Sequence, residues 1–228
     1  MEIEKKPCKL LTLDDVYELS RKTAMKIIES GYKPDMIIGL ARGGWFTARI
    51  ISDFLNVDDL VSIKVEHWGT TAKISLPEAR LKHPFEIDLK DKKVLLVDDI
   101  TDTGESLILA KNVTSKLNPI EIKTAVMQYM TSSKVKPDYY AEVVDKWIWM
   151  IYPWNWIDDF ANLSLTILKA YPDKSFKLEE LRKLIKKYFN VDPNKVSPNH
   201  LKLVLNILEK RGLVLKTKKG WSISTISK

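Results

Sequence analysis

The sequence predicts an α/β fold: a mostly parallel sheet covered by helices on both faces, followed by a small helical domain. Three observations predict it. Apolar runs of strand length alternate with helical segments through the first two thirds of the 228 residues. Two of those runs end in glycine-bearing turns, Ala41-Arg42-Gly43-Gly44 and Asp102-Thr103-Gly104, placed as ligand loops are beyond the carboxyl ends of parallel strands. Charge also divides the chain. Residues 1–160 carry 22 Lys/Arg against 25 Asp/Glu, whereas residues 161–228 carry 15 against 5 and stand at +10. The expected domains are therefore residues 1–160 and 161–228.

Each element has its own signal. Thr12 can cap a helix over residues 14–30, where Val16, Leu19, Thr23 and Ile27 share a face and Gly31 ends it. Met36 to Leu40 (MIIGL) is a continuous apolar run, as expected of a strand buried on both sides, and a helix to about Phe54 follows its turn. Residues 60–65, 94–97 and 122–128 read as further strands. Residues 104–117 read as a helix whose Leu107, Ala110 and Lys111 to Thr114 spacing fits one buried face. Residues 66–89 are long and polar, which predicts a mobile lid over 66–83 or, in part, a hairpin. Four of the seven tryptophans fall within residues 147–156. Helices are then expected over 160–171, 178–189 and 200–211, with a hairpin in the tail LVLKTKKGWSIS.

Composition excludes several classes. Apolar residues make up 45% and charged residues 29%, no run is long enough to span a bilayer, and the charged amino terminus does not read as a signal peptide. A cytoplasmic protein without membrane contact is expected. The single cysteine, Cys8, rules out an internal disulfide, and the three histidines are scattered, so any metal would be held by oxygen.

The chemistry concentrates in Val94 to Leu107, VLLVDDITDTGESL. Backbone amides at a helix amino terminus, with small hydroxyl donors beside them, suit a phosphate. Asp102, Thr103, Gly104, Glu105 and Ser106 supply that setting, with Glu105 expected to turn away. Asp98 and Asp99, just upstream, suit ribose hydroxyls. Ala41, Arg42 and Gly43 suit a diphosphate, with Arg42 as the fixed cation. Mg2+ prefers oxygen ligands and would ride on the diphosphate, touching Asp99 or Asp98 directly or through water.

A hydrophobic strand, two acids, two residues and then DTGxS resembles the signature of type I phosphoribosyltransferases. Residues 10–157 further resemble the 6-oxopurine branch, through ARGGW as diphosphate loop, KVEHW heading the mobile loop, KPDYY, and WMIYPW as a hood over the base. The resemblance implies a five-stranded parallel sheet flanked by helices, with a hood. It implies phosphoribosyl diphosphate (PRPP) and a purine base as substrates, a nucleoside monophosphate and diphosphate as products, Mg2+ as cofactor, and a homodimer. Asp102 would exchange a proton with purine N7, and Lys64 of KVEHW would join the diphosphate site. Trp149 or Met150 would lie on the base, with Trp147 and Ile148 as the alternative register.

The resemblance breaks at Met130, which stands where 6-oxopurine enzymes carry a lysine for O6. A thioether donates no hydrogen bond, which points to adenine and to an archaeal, adenine-using member. Lys134 or Lys136 could replace the missing donor, which keeps hypoxanthine and guanine open. The basic tail also resembles a winged helix, so a nucleotide-sensing DNA-binding regulator is the rival class. Its lysines and arginines surround the helices rather than marking one recognition face, so no DNA partner is expected.

Overall fold

The computed structural model describes residues 3, 6–68, 75–83, 85–191, 195 and 197–224. From the amino end run β1 (Cys8–Leu10), α1 (Leu13–Glu29), β2 (Met36–Ala41), α2 (Gly43–Leu55), β3 (Leu60–Trp68) and β4 (Ser75–Leu81). Then come β5 (Lys93–Thr101), α3 (Glu105–Ser115), β6 (Glu121–Met130), β7 (Tyr139–Val144) and β8 (Trp149–Ile151). After a short 3-10 turn follow α4 (Trp156–Ala170), α5 (Leu178–Phe189), α6 (Pro198–Lys210), β9 (Val214–Thr217) and β10 (Gly220–Ile223). No described helix is long and apolar enough to cross a membrane.

Six strands make one sheet in the order β4-β3-β2-β5-β6-β7. Five are mutually parallel, as expected, and β4 adds an antiparallel edge. The pleat sends alternate residues to opposite faces. In β2 and β5, Ile37, Leu95 and Val97 meet Ala24 and Ile27 of α1 and Ala48 and Ile51 of α2. Their neighbours Met36, Ile38, Val94 and Leu96 meet Leu107 and Ala110 of α3. Strands covered on both sides read as unbroken apolar runs, which is why β2 and β5 were the clearest strands in the sequence. The fifth parallel strand, β7, escaped periodicity because it is only half-buried along most of its length.

The chain leaves β2 through α2 toward β3, and leaves β5 through α3 toward β6. Since β2 and β5 are neighbours, their loops diverge at a topological switch point, the crevice where open α/β sheets bind ligands. Residues 66–89 resolve in part into the expected hairpin, with Val65 opposite Leu81 and Trp68 opposite Ser75. The centre of the expected lid, residues 69–74, lies outside the described residues.

The chain forms two compact units, Leu13–Trp147 and a second made of Met1–Thr12 with Ile148–Lys228. Residue 160, the boundary expected from charge, lies inside α4. In the second unit β1 and β8 pair in parallel, Cys8 beside Trp149 and Leu10 beside Ile151. Cys8, Leu10 and Ile151 share a core with Phe160 of α4, Leu181 and Ile185 of α5, Leu201, Val204 and Leu208 of α6, and Trp221 of β10. A bridge joins Phe176 to Trp221. The tail thus runs in the order helix, bridge strand, helix, helix, hairpin.

Candidate active site

The switch point brings the first glycine loop against the end of β5. A β-carbon on Gly43 would overlap the Asp99 carboxylate, and one on Gly44 would come within 2.6 Å of the Val97 carbonyl and 2.7 Å of Asp98 Cα. Gly43 is therefore required by the Asp99 side chain and Gly44 by the backbone of the acidic strand, a constraint the sequence does not display. The Ala41–Arg42 peptide is cis. Arg42 is exposed and stands at the cap position of α2, which has no side-chain cap. Lys64 lies in register with Ala41 across the β2–β3 pair.

Asp98 and Asp99 end the buried part of β5. The Asp99 amide donates to Asp98 Oδ1 at 2.9 Å, and the Ile100 amide donates to Asp99 Oδ1 at 2.9 Å. Asp98 is half-buried as a residue, but protein atoms enclose its carboxyl. Burial, and next the adjacent Asp99 carboxylate, hold that acid well above the ordinary carboxylate range, against the pull of the Asp99 amide and the Lys64 ammonium. Two enclosed acids side by side make a natural seat for hydroxyl donors or a hard cation. Among the described residues no group of three or more His, Cys, Asp or Glu could hold a metal alone.

Five residues after Asp99, Gly104 caps α3 with φ +83°, a left-handed conformation that a side chain would strain. The turn after β6 packs on the same glycine. A β-carbon there would come within 2.8 Å of Val135 Cγ1 and would crowd Ser133 Oγ. The Lys134 amide donates to the Thr103 carbonyl at 3.0 Å, and Lys134 Nζ donates to Glu105 Oε1 at 2.6 Å. Glu105, the acid that sat oddly beside a phosphate, is thus tied to a lysine. Thr103 Oγ1 accepts from the Glu105 amide at 3.4 Å, and Ser106 follows in the first turn. Asp102 is half-buried in the loop between β5 and α3; since Gly104 holds the cap position, Asp102 is not the cap residue of that helix.

Met130 ends β6 and is 3% exposed, and its carbonyl accepts from the Ser133 amide at 3.0 Å. The loop over residues 131–135 therefore joins Met130 to the underside of the Gly104 turn. Sequence reasoning missed this support, because nothing local in TSSKV marks it. Ile148, Trp149 and Met150 belong to the second unit. There Trp149 Nε1 donates to Asp159 Oδ1 at 3.0 Å, and Met150 is buried.

Residues 10–158 match the phosphoribosyl transferase domain. The hypoxanthine-guanine phosphoribosyltransferase of Schizosaccharomyces pombe is 27% identical over 178 residues, covering 62% of this chain and 86% of that protein. Its counterpart in Aquifex aeolicus is 29% identical over 171 residues, covering 71% and 94%. Among solved structures, a purine phosphoribosyltransferase from Pyrococcus horikoshii is 36% identical with a TM-score of 0.54, covering 64% of this chain and 92% of that one. With the family domain spanning the whole switch-point site and about two thirds of the sequence, the chain belongs to the phosphoribosyltransferase family.

Proposed function

We propose that the chain transfers ribose 5-phosphate from PRPP to N9 of a purine, releasing diphosphate. The observation that carries this is the packing of Gly43 and Gly44 against the Asp98–Asp99 pair at the switch point, a few residues before the Gly104 turn that opens α3. In this reading the amides and hydroxyls of residues 102–106 take the 5-phosphate, and Asp98 and Asp99 take the ribose hydroxyls. Ala41, Arg42, Gly43 and Lys64 take the diphosphate. The N9–C1′ bond forms as the C1′–oxygen bond to diphosphate breaks, and Asp102 accepts the proton leaving N7. Holding both ends of PRPP in place, rather than a protein nucleophile, would supply most of the acceleration. The two acids fit Mg2+, with the remaining ligands coming from substrate and water; when bound, Mg2+ would neutralise charge on the leaving diphosphate.

For the base, adenine is the proposed acceptor, and Met130 carries that choice. It is buried and donates no hydrogen bond. The two lysines able to replace it are engaged elsewhere: Lys134 with Glu105, and Lys136 over the Tyr140 ring at 5.7 Å. The relatives favour a second reading more strongly than they favour adenine, since the curated ones named above are hypoxanthine-guanine enzymes. Ile148, Trp149 and Met150 of the hood stretch are the other proposed base-binding residues. Initial rates with PRPP, Mg2+ and each of adenine, hypoxanthine and guanine separate the readings. Adenine should be used fastest; faster use of hypoxanthine or guanine would overturn that choice while leaving purine transfer intact.

A further inference from the structure

We infer that Asp159 is a positioning residue for base binding, because it holds the indole of Trp149 and with it the hood strand β8. The inference rests on the reading of β8 as part of the base site. Strand alternation puts Trp149 and Ile151 on one face and Met150 on the other. Trp149 and Ile151 face the core shared with α4, α5 and α6, and Met150 is not part of that core. The face that carries Met150 is thus set by how the opposite face is anchored.

The anchor is a buried polar contact. Asp159 is 5% exposed on α4, and its Oδ1 accepts from Trp149 Nε1 at 3.0 Å. Oδ2 has no hydrogen-bond partner among the described residues. A buried acid with one committed oxygen is costly to keep, and apolar packing alone would have closed this core more cheaply. Its retention is explained if the indole must sit in one orientation. The groups that act on the carboxyl among the described residues are the Trp149 indole, which is bonded to it, and the nearby Asp158, while the carboxyl in turn acts on the Cys8 thiol of β1. None is a cation, so burial, and next the Asp158 charge, push Asp159 up to about 7 against the pull of the indole hydrogen bond. Burial and Asp159 likewise push the Cys8 thiol up to about 12, which keeps it a neutral packing group. Asp159 lies just beyond the residues 10–158 that match the family domain.

The test compares Asp159→Ala, Asp159→Asn and Met150→Ala in the full chain by KM for the purine base and KM for PRPP. Asp159→Ala should raise the base KM about tenfold and leave the PRPP KM within about twofold. Asp159→Asn, which keeps an acceptor oxygen, should recover most of the loss. The Trp149 indole proton resonance should move in both Asp159 variants. An unchanged base KM in Asp159→Ala, or a parallel rise in both KM values, would overturn the inference. Failure of the hood reading is seen separately: Met150→Ala would then leave the base KM unchanged although the indole resonance still follows Asp159.

Discussion

The two units of this chain handle their functional residues in opposite ways. In the sheet unit, every residue proposed for phosphate, ribose and diphosphate lies between positions 41 and 106, at the ends of three adjacent parallel strands. In the second unit, the hood strand pairs with a segment about 140 residues away and rests on helices from the end of the chain. The first arrangement leaves a compact signature, because amides at helix starts and acids at strand ends must be contiguous to work. The second is held by packing, which many sequences satisfy. In the proposed reaction the phosphoribosyl half belongs to the sheet unit.

The largest expected effect breaks the sheet unit's half alone. Asp102→Asn should lower kcat at least about tenfold, toward the scale of general acid–base contributions, with little change in either KM. An unchanged kcat in steady-state assays would remove Asp102 from the proton transfer. Gly43→Ala forces a methyl group into the Asp99 carboxylate and should cut kcat/KM for PRPP about tenfold, a loss of about 1.4 kcal/mol in transition-state stabilisation. Its kcat/KM for the base at saturating PRPP should fall less; equal losses would show that the acidic pair is not specific to PRPP.

Base choice sharpens the comparison from the other side. Met130→Lys restores a donor at the end of β6 and should shift the ratio of kcat/KM for hypoxanthine over adenine upward by about tenfold, the scale of one charged hydrogen bond. Substrate competition reads this directly, and an unmoved ratio would take the decision away from Met130. In the second unit, Asp159 gives a stability signature. Its folded pKa, about 7, lies above the unfolded value, so the folded chain holds an extra proton between about pH 4 and pH 7. Wild-type stability should therefore fall as pH rises through that window, while Asp159→Asn, always neutral, should not share the fall. Denaturant midpoints of the two proteins should diverge toward alkaline pH; parallel curves would mean that the acid ionises freely. The smallest effect concerns the basic tail. Any mobility shift with duplex DNA should be independent of sequence and lost by about 200 mM salt. A sequence-selective shift would revive the regulator.

Much of the sheet was legible because β2 and β5 are covered on both faces and read as apolar runs, while β7, half-buried at the edge, was seen only through family resemblance. The proposed site was drawn from Asp98 to Ser106 and from Ala41 to Gly43, where phosphate and ribose contacts of the proposed kind need residue types in series. Three features were not legible. Gly43 was read as part of a diphosphate loop, but the tightest neighbours of Gly43 and Gly44 are the Asp99 carboxylate and the backbone of β5, contacts between elements about 55 residues apart. Lys134 was read as a stand-in for the base-binding lysine, and the structure ties it to Glu105. Trp149 was placed at the base by family resemblance, and nothing in a linear sequence shows that its indole is also bonded to Asp159.

The account's central claim is that the PRPP site is built at the β2–β5 switch point. A crystal structure with adenosine monophosphate, diphosphate and Mg2+ tests it most directly. The account predicts the 5-phosphate on the amides of residues 103–106, the ribose hydroxyls on Asp98 and Asp99, the diphosphate on residues 41–43, and Met130 near the purine C6 position. A phosphate bound away from the amino end of α3, with the Asp98–Asp99 pair free of the ribose, would contradict it.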